Sequence, residues 1–126
     1  MTSIAEPATG FVSVVDDDES VRESLPDLLH EFGFSAQAFA DAEDFLRSGA
    51  ADRTRCLILD VNMPGMSGPE LKQELERRGY RIPVVFITAQ ADTAARPDVL
   101  EGAVACLVKP FSDIALHDAL KKVFGG

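Results

Sequence analysis

The chain has 126 residues, 46% of them hydrophobic, and its 21 acids against 12 bases leave a formal net charge of -9. That describes one domain with enough apolar residues for a core, and it excludes a disordered chain. The acidic balance argues against direct binding of nucleic acid or of an anionic membrane surface, which call for basic patches. No apolar run nears the ~18 residues of a membrane-spanning helix.

The opening "MTSIAEPATG" has no basic end and no apolar stretch. It predicts no signal peptide, a loose tail over residues 1–10 and a cytoplasmic folded domain over residues 11–126. "FVSVV" (11–15) reads as a first strand, ending in Asp16, Asp17, Asp18 and Glu19. Asp18 then caps a helix, with Glu19 in its first turn. Val21, Leu25, Leu28, Leu29 and Phe32 follow at helical spacing, and Gly33 stops it. Pro26 lies inside that pattern and predicts a kink, not a break. "SAQAFA" (35–40) is the second strand, and Asp41 caps "DAEDFLRSG", which ends at Gly49. "CLILD" (56–60) is the third strand. "SGPELKQELERRG" opens with Ser67 and Glu70 in capping-box spacing, carries Pro69 in its first turn and stops at Gly79. "PVVFIT" (83–88) is the fourth strand. In "DTAARPDVLEG", Pro97 predicts a short helix that starts near it and ends before Gly102. "VACLVK" (104–109) is the fifth strand. The last helix starts at Ser112 and places Lys121 and Lys122 in its last turn.

Cys56 and Cys106 each fall within an apolar run and read as buried small hydrophobes, with no spacing for a disulfide or a metal site. His30 and His117 fall within helical patterns and read as surface or boundary residues.

Strands alternating with helices predict an α/β fold, a doubly wound five-stranded parallel sheet covered on both faces. The expected order is 2-1-3-4-5, flavodoxin-like, with five helices, the fourth short or irregular. In such a sheet all strands end along one edge, and ligands bind where the strand order reverses. The first strand delivers Asp16 and Asp17 there, the third Asp60, the fourth Thr88 and the fifth Lys109. Singly, each has a plain reading: an acid at a strand end is a turn residue, a threonine in "FITA" is strand filler, a lysine before proline is solvated. Together, at the strands that flank and neighbour the reversal, they read as a site. Three carboxylates so close would not all stay ionised, and a hard divalent cation such as Mg2+ removes the conflict. Thr88 and Lys109 then suit phosphoryl oxygens, and Asp60 suits an acyl-phosphate-forming nucleophile.

"VVDDDESVRESL", "LILDVNMPGMSGPEL", "PVVFITAQAD" and "CLVKPF" resemble the receiver domain of two-component response regulators, over about residues 11–124. "DVNMPGMSG" and "SLPDLL" are most similar to receivers paired with nodulation- and nitrogen-fixation-type sensor kinases. The resemblance implies a phosphorylation-activated signalling switch and not a metabolic enzyme. Asp60 would take a phosphoryl group from a phosphohistidine of a sensor histidine kinase. The carboxylates of Asp17 and Asp60 and the backbone carbonyl of Asn62 would hold Mg2+, with Asp16 holding a metal-bound water. Thr88 would move toward the phosphoryl group and Lys109 would pair with it. The resemblance also implies a cis Lys109–Pro110 bond, and backbone N–H groups at Gly65 and Gly68 that face the site. Cys106 stands where the family often has Tyr or Phe, so coupling through an inward-swinging ring does not carry over. Asn62 and Gln90, which flank the site in sequence, are expected to tune the lifetime of the phosphorylated state.

Two other readings fit part of the same residue set. A Mg2+-dependent phosphatase with an aspartyl nucleophile would carry an acid two residues beyond it, where Asn62 stands. An interaction module that no longer uses phosphate would not need all five site residues intact. No glycine-rich phosphate loop is present. The implied partners are the kinase and a downstream protein or a second copy, met through the face of the fourth helix, fifth strand and fifth helix. The given sequence stops at "KKVFGG", where the last helix closes, which leaves a stand-alone receiver and the receiver of a transcription factor both open.

Overall fold

A computed structural model describes residues 10–94 and 96–125. Strands β1 (Phe11–Val15), β2 (Ser35–Phe39), β3 (Cys56–Asp60), β4 (Val84–Thr88) and β5 (Ala105–Val108) form one sheet in the order β2-β1-β3-β4-β5. Every pairing is parallel. The connections carry α1 (Glu19–Glu31), α2 (Ala42–Ser48), α3 (Gly68–Arg77), α4 (Ala91–Ala94), α5 (Pro97–Leu100) and α6 (Asp113–Phe124), with a 3-10 turn at Ala50–Asp52. The predicted doubly wound order is the one observed.

β3 and β4 are buried at every residue, which is why they read as unbroken apolar runs. Alternate side chains serve opposite faces. Val12, Val14, Ile58, Val85 and Ile87 pack with Leu25 and Leu29 of α1 and Leu116 and Leu120 of α6. Val15, Leu57, Leu59 and Phe86 pack with Phe45 of α2 and Leu71 and Leu75 of α3. The helix starts match their sequence signals. Asp18, Asp41 and Ser112 each accept a backbone N–H from the first turn they cap. Ser67 and Glu70 close a full capping box.

Two expectations need adjustment, those for the fourth helical segment and for Cys106. The fourth helical segment is two single turns, α4 and α5, where the sequence predicted only the second. Pro97 opens α5, and Arg96 before it is extended (φ -69°, ψ 138°), the conformation a following proline favours. α1 runs through Pro26 without a break, because Leu25 and Leu29 anchor it to the core on either side of the missing hydrogen bond. Cys56 is buried, but Cys106 is only half-buried, because β5 is an edge strand. Both thiols are free. Apart from Gly10, the loose tail expected over residues 1–10 lies outside the described residues.

His30 and His117 are exposed, the latter edge-on to Phe32 at 5.1 Å. Among the described residues, no helix is long and apolar enough to cross a membrane.

Candidate functional site

The parallel sheet brings the C-terminal ends of β1, β3, β4 and β5 to one edge, and the predicted residues meet there. Asp16, just past β1, is fully buried, while Asp17 beside it is exposed. Asp60 ends β3 with 5% of its surface exposed, and Thr88 ends β4 fully buried. Carboxylate oxygens of Asp16, Asp17 and Asp60 all lie within 4.8 Å of one another. Lys109 Nζ reaches across from β5 to Asp16 Oδ2 at 2.9 Å.

Asp16 is held on several sides. Its Oδ1 accepts the Asp18 N–H at 2.9 Å. Its backbone N–H donates to the Phe39 carbonyl at 3.1 Å, and its carbonyl accepts from Arg22 Nη1 at 3.1 Å. Oδ2 has the Lys109 ammonium; among the described residues no other donor reaches it.

The electrostatics follow from this crowding. Burial, then the neighbouring Asp16 charge, pushes the Asp60 carboxyl up to about 7 from 3.8. Lys109 and the backbone N–H of Asn62 pull the other way but do not win. Burial also works against the Lys109 ammonium, yet the bond to Asp16 and the charges of Asp16, Asp60 and Asp18 outweigh it and hold its pKa above the usual range. Asp18 is held below the usual carboxylate range by the Ser20 hydroxyl and backbone N–H, as its capping role requires.

Thr88 Oγ1 accepts the Gln90 N–H at 3.1 Å, closing a small turn after β4. Asn62 is exposed in the loop after Asp60. Lys109–Pro110 is cis, as the resemblance implied, and Gly65 sits at φ +80°. Gly68 corrects an expectation. It opens α3, and its N–H goes to the Val61 carbonyl at 2.9 Å instead of facing the acids. Its role is close approach: a Cβ there would stand 2.4 Å from the Asp60 carbonyl oxygen.

Sequence reasoning missed two residues. Arg22 looked like one more polar position on α1, and nothing in its spacing marks the carbonyl it binds. Thr93 is 4% exposed in α4, a turn the sequence did not predict. Its hydroxyl donates to Gln90 Oε1 at 3.2 Å.

The donor set fits Mg2+. The oxygens are hard and anionic, Asp16 Oδ2 is buried with one partner, and Asp60 is pushed toward protonation by burial and then by the Asp16 charge, a conflict that a cation would relieve.

The model of the response regulator receiver domain matches residues 12–121. Nodulation protein W of Bradyrhizobium diazoefficiens is 43% identical over 111 residues, which are 87% of this chain and 49% of that protein. The transcriptional regulatory protein FixJ of Azorhizobium caulinodans is 38% identical over 115 residues, 90% of this chain and 54% of that protein. The chain thus spans about half the length of these relatives. Among solved structures, the response regulator TrrA of Thermotoga maritima in complex with Mg(2+)-BeF superposes with a TM-score of 0.81 at 27% identity, covering 91% of this chain and 99% of that one.

Proposed function

We propose, for a chain that belongs to the response regulator receiver domain family, that Asp60 accepts a phosphoryl group from the phosphohistidine of a sensor histidine kinase. One observation carries the reading: a nearly buried carboxylate at a strand end, flanked by two more carboxylates and by an ammonium already drawn into the cluster. An Asp60 oxygen forms the new bond to phosphorus, the N–P bond breaks, and its electron pair returns to the imidazole. Asp17, Asp60 and the Asn62 carbonyl, with Asp16 behind them, would hold Mg2+, which would supply charge neutralisation for the transferring group.

The chain's own residues do the rest. Arg22 and the Asp18 N–H fix the loop that carries Asp16 and Asp17. Gly68 lets the start of α3 lie against the Asp60 backbone. Phosphorylation adds about two negative charges. Lys109 can leave Asp16 for the phosphoryl group, and Thr88 can donate its hydroxyl to it, so both strand ends shift together. Asn62 and Gln90 set how readily water reaches the acyl phosphate.

We place the receiver at residues 11–126, in the cytoplasm with its kinase. Because relatives of about twice its length include a transcriptional regulator, the proposed output is transcriptional, through pairing of receivers on the face of the fourth helical segment, β5 and α6. Val108 and Ile114 expose apolar surface there, 37% and 72%. Sedimentation with and without phosphodonor tests that face, and a phosphorylated monomer would count against it.

The chemistry is tested by intact mass after incubation with acetyl phosphate, with and without Mg2+, on wild type and Asp60→Ala. The expected result is a single Mg2+-dependent phosphoryl adduct, absent from D60A. No adduct on folded wild type would overturn the reading.

A further inference from the structure

Thr88, Gln90 and Thr93 form one chain of hydrogen bonds that leads from the site into α4. The Gln90 N–H donates to Thr88 Oγ1 at 3.1 Å. Gln90 is gripped twice from the other side: the Thr93 N–H donates to its carbonyl at 3.1 Å, and the Thr93 hydroxyl donates to its Oε1 at 3.2 Å. The first of these is the ordinary bond of a helical turn. The second is specific to these two side chains, and Thr93 is almost fully buried where it makes it.

The Thr88 hydroxyl proton is nearly unspent, since Oγ1 meets the Gln90 carbonyl only at 3.5 Å. It is therefore available to a phosphoryl oxygen on Asp60. If Oγ1 moves toward Asp60 to deliver it, as the proposed function has it, the bond from the Gln90 N–H breaks or the 88–90 turn moves along with it. Thr93 resists the second route by holding Gln90 to α4.

Resting on the phosphoacceptor reading above, we propose that the Thr93 hydroxyl is a positioning group, a latch that keeps the Thr88–Gln90 turn in its unphosphorylated arrangement. Removing it destabilises only that arrangement and shifts the two-state balance toward the phosphorylated one. One net hydrogen bond corresponds to about a 2- to 10-fold shift.

The test compares wild type, Thr93→Val, Thr93→Ser and Gln90→Ala. One readout is the initial rate of phosphorylation by acetyl phosphate with Mg2+. The other is the affinity for beryllofluoride, a phosphoryl mimic, by calorimetry at fixed Mg2+. T93V is expected to be about 2- to 10-fold faster and to bind beryllofluoride tighter by the same factor, whereas T93S keeps wild-type values. Q90A removes the other partner of the same bond, so T93V adds nothing in the Q90A background. A purely structural role for Thr93 would lower stability and slow the reaction. Unchanged or slower T93V, a T93S that behaves like T93V, or additive effects with Q90A would overturn the latch. Failure of wild type itself to take a phosphoryl group or beryllofluoride would overturn the phosphoacceptor reading, and the latch with it.

Discussion

Asp60→Asn is expected to stabilise the fold in metal-free buffer, although it removes the residue the site is built around. Three carboxylates have oxygens within 4.8 Å of one another, one of them fully buried. Two unit charges about 4 Å apart repel by about 4 kcal/mol at an effective dielectric of 20. Lys109 offsets part of this through Asp16, which leaves a net strain on the order of a few kcal/mol. Burial first, and this repulsion from Asp16 second, push the Asp60 carboxyl up to about 7 from 3.8. The sign follows from linkage. The native state holds this proton more tightly than the unfolded chain does, so stability is lost as pH rises from about 4 to about 7, and the loss is complete above that. Asparagine keeps the shape and removes the charge. Urea unfolding followed by circular dichroism, at pH 5 and pH 8.5 in EDTA, should show D60N more stable by about 1–3 kcal/mol at the higher pH, with a smaller gap at the lower. Mg2+ should narrow the gap at pH 8.5 by stabilising wild type, by about 1.4 kcal/mol at ten times its Kd. A D60N less stable than wild type at pH 8.5 in EDTA, or a gap indifferent to pH, would refute the reasoning.

Gly68→Ala forces a Cβ onto the Asp60 carbonyl, where only backbone can give way, and should cost about 1–3 kcal/mol in urea unfolding and slow phosphorylation by acetyl phosphate. Gly49→Ala is the contrast: φ is +78° with open space around it, so about 1 kcal/mol of backbone strain should appear with no change in phosphorylation rate. Thr54→Val strands the buried Ser13 hydroxyl, which now meets Thr54 Oγ1 at 2.7 Å; a loss of about 1–3 kcal/mol is expected, partly recovered in Ser13→Ala/Thr54→Val. The Cys56 thiol is pushed up to about 12 by burial, and burial raises Cys106 as well. Iodoacetamide at pH 8 should leave Cys56 unmodified in the native protein and modify Cys106 slowly, whereas urea exposes both; rapid double labelling of the native protein would contradict the packing of β3.

Much of the fold was legible in the sequence because its signals are local. A strand covered on both faces must be apolar throughout, so "CLILD" and "PVVFIT" could hardly be anything else. Asp41, Ser67 and Ser112 mark helix starts because the orphan N–H groups of a first turn need an oxygen in reach. With strand order inferred from the alternation of elements, Asp16, Asp17, Asp60, Thr88 and Lys109 could be placed on one edge before any distance was known. What tertiary structure alone decided is how those groups differ. Asp16 and Asp17 are neighbours of one type, yet one is fully buried under Lys109 and the other is exposed. Gly68 was visible as a loop glycine, but its reason is the Asp60 carbonyl it lies against. Cys106 reads like Cys56 along the chain, yet at the edge strand β5 it is only half-buried. Arg22 and Thr93 carried no signal, since the carbonyl of Asp16 and the amide of Gln90 become their partners only once the loops have closed. Element type is set by a residue's neighbours along the chain; burial, pairing and pKa are set by neighbours the chain brings in from elsewhere.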